Sequence, residues 1–276
     1  TLKEQLDYFT EFKPWYEQIA KDMRYDPRDD PKSRDLFSTF LSKKPEGWNL
    51  EPILESFSRS LQDKPNIFIY GCGPSLEPTL NDLINSSNEQ DIQDLVHITA
   101  DGASRPLSEK GIPIHSIFTD LDGITKKLFS QPKFTVVHAH GDNMETLRDF
   151  KSNIIKFENV VGTTQVEPLH NVINPGGFTD GDRILYFLRS ILSPNQTAYM
   201  IGMDFGTEVG RYSKPRLTED EAAGRMKEKK LGHAVQLVEW IIPKMRARVK
   251  FVNGQESSDF FTYLSFEEFL SEVGLN

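Results

Sequence analysis

Two aspartates separated by one residue, Asp120 and Asp122 in the segment TDLDG, are the sharpest chemical feature of the sequence. They follow a short apolar run, and Gly123 permits a turn that would let both carboxylates converge on one ion. Two like charges about 5 Å apart repel by roughly 3 kcal/mol at an effective dielectric constant of about 20, so the pair needs a cation, a proton or exposure to water. Hard oxygen ligands of this kind favour Mg²⁺. A solvated surface loop is the alternative interpretation.

A second candidate site is the turn GCGPS at residues 71–75, which opens a predicted helix. Gly71 and Gly73 let a ligand approach the backbone, Pro74 suits the first helical turn, and a helix N-terminus attracts anions. We expect this turn, including Ser75, to bind phosphate. The third glycine of the dinucleotide fingerprint and the lysine of the Walker loop are both missing. A plain strand-to-helix turn is the alternative.

Five predicted strands end in glycine, aspartate or histidine. Ligands of open α/β sheets bind at the carboxyl ends of the strands, although solvated turns favour glycine and aspartate too. Beyond the two sites above, the candidate site residues at these strand ends are Asp101, Gly102, His140, Asp142, Asn143 and Asp204.

The segment TDGDR at residues 179–183 leads into a further predicted helix, and it carries Thr179, Asp180 and Arg183. The functional interpretation assigns Asp180 to the metal and Arg183 to a phosphate, whereas an ordinary N-cap is the alternative. Lys214 lies in a predicted mobile loop that could close over phosphates. The basic residues of the next predicted helix are most simply a solvated face, and they include Arg225, Lys227, Lys229 and Lys230.

These residues need a scaffold, and the pattern of apolar residues predicts one. Short apolar runs occur at 66–70, 96–100, 114–119, 134–139, 197–201 and 249–252. Helical patterns lie between several of them, at 76–84, 182–192 and 219–246. Alternating strands and helices indicate a Rossmann-like three-layer α/β domain with a mostly parallel sheet. Residues 150–175 are expected to hold one or two short strands.

The N-terminal part has a different pattern. Apolar residues at helical spacing predict a helical cap over residues 1–62, followed by an α/β catalytic domain over 63–276. The charged segment 26–35, with two prolines, is expected to be an exposed linker, and a helix is expected at 52–61. The cap is interpreted as a packing or dimerisation element, or as a cover for the substrate.

Composition excludes several classes of protein. The chain has 276 residues, a net charge of −9 and a pI of about 5.3. A mostly acidic surface repels phosphate backbones and anionic lipids, so neither nucleic acid nor membrane is an expected partner. One cysteine, Cys72, excludes an intrachain disulfide. With no signal-like start and no 18-residue apolar run, we expect a cytoplasmic protein.

The motifs GCGPSL, ADGA, TDLDG, HAHGDN, GGFTDGDR and GMDFG, in this order, resemble the archaeal MptE-like 6-hydroxymethyl-7,8-dihydropterin diphosphokinases. The resemblance extends from about residue 65 to 245 and reaches, more distantly, thiamin diphosphokinase. Two positions depart from that distant relative: Thr119 replaces a glycine, and Arg183 replaces a lysine. The residues that correspond to its motifs are Asp101, Asp120, Asp122, Asp180 and Arg183.

The resemblance implies Mg²⁺-dependent transfer of diphosphate from ATP to the pterin, with release of AMP. We expect Asp120, Asp122 and Asp180 to hold Mg²⁺, with Asp101 nearby and Arg183 among the catalytic residues. The residues expected to contact nucleotide or substrate are Gly71, Gly73, Pro74, Ser75, Asp101, Gly102, His140, Asp142, Asn143, Thr179 and Asp204.

Other functions remain open from the sequence. The turn GxGPSL also resembles the nucleotide-binding turn of certain bacterial sialyltransferases, so a nucleotide-sugar glycosyltransferase is the main alternative. Thiamin could replace the pterin as acceptor, and a non-catalytic nucleotide-binding module is a third possibility. A homodimer through the helix around 231–242 or through the helical cap is also considered.

Overall fold

A computed structural model describes residues 1–275, and residue 276, the last of the predicted catalytic domain, lies outside the described residues. Eleven strands are present in the described part of the chain. They are β1 (Asn66–Tyr70), β2 (Val96–Ala100), β3 (Ser116–Thr119), β4 (Phe134–Ala139), β5 (Val160–Thr164), β6 (Val172–Ile173), β7 (Thr197–Ile201), β8 (Glu208–Val209), β9 (Glu221–Ala222), β10 (Arg248–Val252) and β11 (Tyr263–Leu264).

Thirteen α-helices surround these strands within residues 1–275. They are α1 (Leu2–Gln5), α2 (Phe9–Met23), α3 (Asp29–Leu41), α4 (Leu50–Leu61), α5 (Leu76–Ser86), α6 (Glu89–Asp94), α7 (Ser104–Glu109), α8 (Lys126–Phe129), α9 (Met144–Asp149), α10 (Lys151–Lys156), α11 (Asp180–Leu188), α12 (Arg225–Ile241) and α13 (Phe266–Val273).

Nine strands form one sheet in the order β11-β10-β7-β1-β2-β3-β4-β5-β6, and every pair in it is parallel. From β1 the chain proceeds strand by strand to β6, and then returns to place β7 on the other side of β1. The order therefore reverses between β1 and β7, which is the position where open α/β sheets bind ligands. Strands β8 and β9 form a separate antiparallel pair.

Helices cover both faces of the sheet, because side chains of a parallel strand alternate between two buried faces. In β1, Ile67 and Ile69 pack into one core with side chains of α2, α4, α11 and α12. Phe68 and Tyr70 point to the opposite core, with side chains of α3, α5, α7 and α13. The predicted Rossmann-like three-layer fold is thus confirmed, and the sheet is entirely parallel.

The predicted linker at 26–35 is wrong, because helix α3 begins within it at Asp29. Asp30 and Ser33 are buried. Pro31 occupies the first helical turn, where a missing N–H costs nothing, and Asp29 and Asp30 suit the positive end of a helix. The domain boundary at residue 62 stays a prediction.

Other element bounds differ modestly from the expected ones. Strand β3 is shorter than the predicted run at 114–119, helix α11 begins two residues before the predicted position, and α12 spans only part of 219–246. Both short strands expected in 150–175 are present, as β5 and β6. Within residues 1–275, none of the helices combines the length and the apolar character that crossing a membrane requires.

Candidate functional site

Three carboxylates meet at the carboxyl edge of the sheet. Asp101 directly follows β2, Asp120 directly follows β3, and Asp180 is the first residue of α11, which packs against both strands. Each offers an oxygen, and these oxygens lie within 4.8 Å of one another. We call Asp101, Asp120 and Asp180 the acidic cluster.

Asp101 is held firmly in an unusual backbone conformation. Its φ is 46°, in the left-handed region that aspartate tolerates better than most residues. Its Oδ1 accepts hydrogen bonds from Thr119 Oγ1 at 2.6 Å and from the Gly123 N–H at 3.2 Å. A Cβ at Gly123 would lie 1.9 Å from Asp101 Oδ2, so position 123 requires glycine. The turn TDLDG therefore wraps around a carboxylate from the neighbouring strand.

Asp120 is positioned by the loop that follows β4. His140 Nε2 lies 3.4 Å from Asp120 Oδ2. The Asn143 side chain donates to the carbonyls of Asp120 at 3.0 Å and His138 at 2.7 Å, and accepts from the His140 N–H at 3.0 Å. Asn143 thus joins the ends of β3 and β4 and has its amide donors occupied by protein acceptors.

The negative charges of the acidic cluster repel one another. Burial and the negative charges of Asp180 and Asp120 raise the pKa of Asp101 well above its ordinary value. Burial and Asp120 raise the pKa of Asp180 to about 8, although Arg183 opposes the shift. Burial also disfavours the charged form of Asp120, but the hydrogen bond and charge of His140 outweigh it and hold the pKa of Asp120 below the ordinary range. Such a cluster is suited to a cation.

Asp122, the remaining carboxylate of the predicted metal set, is outside this group of mutually close oxygens. Its side chain is exposed, and its N–H donates to Asp120 Oδ1 at 3.3 Å. The structure brings Asp120 and Asp180 together with Asp101, which the sequence placed only nearby. The one sequence signal for Asp101 was its position directly after a strand, in ADGA.

Asp180 is fixed by the start of α11. Thr179 caps the helix and forms a reciprocal pair of hydrogen bonds with Asp182. Arg183 is buried, and its guanidinium donates to Asp180 Oδ1 at 3.0 Å and to the Phe178 carbonyl at 2.8 Å. In this arrangement Arg183 orients Asp180, and two of its nitrogens are engaged within the protein.

The glycine turn, residues 71–75, has most of its N–H groups engaged. The Gly71 and Gly73 amides donate to the carbonyls of Ile201 and Gly202. The Ser75 amide donates at 2.9 Å to a buried carboxylate, that of Asp204. The anion at the start of α5 is therefore a side chain of the protein. Direct binding of phosphate by these three amides would require exchange of these bonds.

Asp204 acts as a bridge. Its second oxygen accepts from the Gln255 N–H at 3.1 Å, so one carboxylate ties the end of β7 to the glycine turn and to the loop after β10. Pro74 lies between Gly73 and Ser75, whose amides donate to residues that follow β7. The positions of the turn and of β7 at the strand-order reversal agree with a ligand site there.

The segment 210–213 covers these turns. A Cβ at Gly102 would lie 1.9 Å from the Tyr212 carbonyl oxygen, and one at Gly210 would lie 2.2 Å from the Cys72 carbonyl oxygen. Burial raises the pKa of the Cys72 thiol to about 12, which agrees with an unreactive small side chain.

Asp30 is a site-supporting residue that the sequence interpretation missed. It is buried in α3, and its Oδ1 accepts from the Gly141 N–H at 2.7 Å, beside His140. Gln165 Nε2 and Tyr16 Oη donate to its other oxygen. Asp142, in the same loop, is exposed. No periodicity in the charged segment 26–35 indicated that one of its aspartates is buried.

Comparisons with known proteins find related sequences over most of the chain. A family model described as 6-hydroxymethylpterin diphosphokinase MptE-like matches residues 39–210. A 6-hydroxymethyl-7,8-dihydropterin pyrophosphokinase of Pyrococcus furiosus is 36% identical over 241 residues, which cover 87% of this chain and 96% of the relative. The protein of the same description from Methanocaldococcus jannaschii is 33% identical over 244 residues, covering 85% of this chain and 96% of the relative.

Among solved structures, the MAf glycosyltransferase from Magnetospirillum magneticum AMB-1 aligns over 82% of this chain and 40% of that chain, at 15% identity and a TM-score of 0.40. A likeness at this level bears on neither fold nor activity. The family match and the two relatives cover most of the chain, including the acidic cluster and the glycine turn. This chain therefore belongs to the MptE-like 6-hydroxymethylpterin diphosphokinase family.

Proposed function

We propose that this protein transfers the diphosphoryl group of ATP to the hydroxymethyl oxygen of 6-hydroxymethyl-7,8-dihydropterin and releases AMP. Family membership and the activity for which the relatives are named support this reaction. The single observation that carries it is the convergence of three carboxylates at the strand ends. In the reaction the acceptor oxygen bonds to the β-phosphorus, the bond from that phosphorus to the α,β-bridging oxygen breaks, and the hydroxyl proton passes to water.

The acidic cluster has the chemistry of a Mg²⁺ site. Its donors are hard carboxylate oxygens, and burial together with their mutual repulsion raises the pKa of Asp101 and Asp180. We propose Asp101, Asp120 and Asp180 as metal ligands, with Asp122 at the exposed side of the cluster. When bound, Mg²⁺ neutralises charge on the phosphate oxygens.

The protein's own groups position the reactants. His140 and Asn143 orient Asp120, and Arg183 orients Asp180. The nucleotide lies along the glycine turn at the strand-order reversal, and His140 and Asp142 face the acceptor. Since phosphoryl transfer requires little covalent participation by the protein, this positioning and the balance of charge account for most of the catalysis.

The test incubates the protein with ATP, Mg²⁺ and 6-hydroxymethyl-7,8-dihydropterin and measures AMP. We expect AMP to form only with the pterin present, and thiamin to give none. Formation of ADP, or of AMP without an acceptor, would contradict the proposal. Asp120→Asn is the variant expected to lose most of its activity, and Asp82→Asn, on the exposed side of α5, is the matched control with full activity expected.

A further inference from the structure

Three lysines near the acidic cluster have no anionic partner within the described residues. Lys214, Lys227 and Lys230 form neither an ion pair nor a side-chain hydrogen bond in residues 1–275, whereas their neighbour Lys229 forms both. We infer that Lys214, Lys227 and Lys230 bind the polyphosphate of ATP. This inference rests on the proposed use of ATP and assigns residues to its charged part.

Lys214 lies next to the glycine turn and Gly102, which the segment 210–213 covers. The preceding segment, 210–213, lies directly on Gly102 and on the glycine turn, since a Cβ at Gly102 would lie 1.9 Å from the Tyr212 carbonyl oxygen. Lys214 follows this segment immediately. Burial and the charge of Asp120 raise the pKa of Asp122, and the positive charge of Lys214 opposes this shift, in agreement with a position of Lys214 near the exposed side of the acidic cluster.

The lysines of helix α12 lie on two different sides of the helix. Lys229 and His233, four residues apart, both contact Asp22 of α2, at 2.8 Å and 2.6 Å. Lys227 and Lys230 are three residues apart and therefore neighbours on the helix surface. Lys230 Nζ lies 5.5 Å from the centre of the Phe178 ring, two residues before Asp180.

Electrostatic effects agree with this placement. Desolvation and the charge of Lys230 lower the pKa of Lys227, while Cys72 and Asp180 oppose the shift. The charge of Lys230 in turn opposes the rise in the pKa of Asp180 that burial and Asp120 cause. Together with the contact between Lys230 and Phe178, these effects agree with a position of the two helical lysines beside α11, where the nucleotide is proposed to bind.

Most of the phosphate donors expected from the sequence are engaged elsewhere, although Ser75 Oγ and Arg183 Nε have no hydrogen-bond partner within the described residues. The amides of Gly71, Gly73 and Ser75 bond to protein acceptors, and Arg183 bonds to Asp180. A triphosphate approaching an acidic cluster needs positive charge beyond the metal. Lysine ammonium groups are common phosphate ligands, and these three remain available.

The experiment measures binding of α,β-methylene-ATP in the presence of Mg²⁺ and without any acceptor, by isothermal titration calorimetry. This nucleotide cannot undergo cleavage between its α- and β-phosphorus atoms. Loss of one charge-assisted hydrogen bond corresponds to a rise in Kd of about tenfold or more. We expect that rise in Lys227→Met, Lys214→Met and Lys230→Met, partial recovery in Lys227→Arg, and the wild-type Kd in Lys229→Met.

Wild-type affinity in Lys227→Met and Lys214→Met would overturn the inference. An equal loss in Lys229→Met would do so too, because the effect would then come from the general charge of the helix. If the lysine variants lose affinity while the wild-type protein makes no AMP with the pterin, the lysine assignment holds and the proposed acceptor is wrong.

Discussion

Asp101→Asn is the substitution that most directly tests the acidic cluster. Asparagine keeps an oxygen that can accept from Thr119 and Gly123, and it tolerates the positive φ of position 101. The change therefore removes one buried negative charge with little change in shape. We expect the variant to be more stable than the wild-type protein in the absence of divalent cations, and inactive as a diphosphokinase.

The size of the effect follows from the geometry. At the 4.8 Å limit that separates the cluster oxygens, two unit charges repel by about 0.9 kcal/mol in water and about 3.5 kcal/mol at an effective dielectric constant of about 20. Asp101 has two such partners, Asp120 and Asp180. Since the raised pKa of Asp101 indicates that proton uptake relieves part of this repulsion, we expect a net gain of about 1–3 kcal/mol.

The assay is urea unfolding followed by circular dichroism, in EDTA and in excess MgCl₂. The wild-type protein should gain stability from Mg²⁺, because a ligand of the folded state stabilises it, and Asp101→Asn should gain much less. Asp82→Asn, which removes an exposed carboxylate, should match the wild-type protein in both conditions. If Asp101→Asn were less stable than wild type in EDTA, or responded equally to Mg²⁺, the reasoning would be refuted.

Three further predictions test the same architecture. Asp120→Asn should lower kcat/KM for AMP formation by about 100-fold or more. Asp122→Asn should lower it by less, because of these two residues only Asp120 contributes an oxygen to the acidic cluster. A larger loss in Asp122→Asn than in Asp120→Asn, measured by the AMP assay, would favour the metal set expected from sequence. Gly123→Ala should destabilise the protein by about 1–3 kcal/mol, because its Cβ would overlap a carboxylate of the acidic cluster. Gly232→Ala, in the open interior of α12, should instead stabilise the protein by about 0.5–1 kcal/mol. Urea unfolding of both variants measures the direction of each change in stability, and equal effects would contradict the two predictions. Burial lowers the pKa of Lys44 to about 8 from 10.5, so the unfolded chain binds this proton more tightly and the free energy of unfolding should rise as pH increases through that interval. Lys44→Met should reduce this rise in urea titrations across the interval, and an unchanged pH dependence would exclude Lys44 as its source.

Much of the sheet could be predicted because its strands are local signals. The runs at 66–70, 96–100, 134–139 and 197–201 coincide with β1, β2, β4 and β7. A strand buried on both faces needs a continuous apolar run, and such a run ends abruptly where the chain reaches the polar edge of the sheet. The polar residues at the strand ends were visible for the same reason.

The linker at 26–35 could not be predicted from its residue types. Charge and proline content indicate exposure, yet the Asp30 carboxylate is buried because Gly141, Gln165 and Tyr16 donate to it. Those donors lie far from Asp30 in the sequence, except Tyr16. Burial of a charged group depends on partners that only the folded chain supplies.

The sequence by itself determined the fold class, most strands of the large sheet and the family resemblance, because each depends on local apolar patterns and short motifs. The tertiary structure decided which carboxylates meet and which donors are free. It brought Asp101 together with Asp120 and Asp180 in the acidic cluster, and it engaged the amides of the glycine turn with Asp204 and neighbouring carbonyls. Spacing along one turn is local, but distances between the ends of different strands are set by their order in the sheet and by the packing of α11 across β2 and β3.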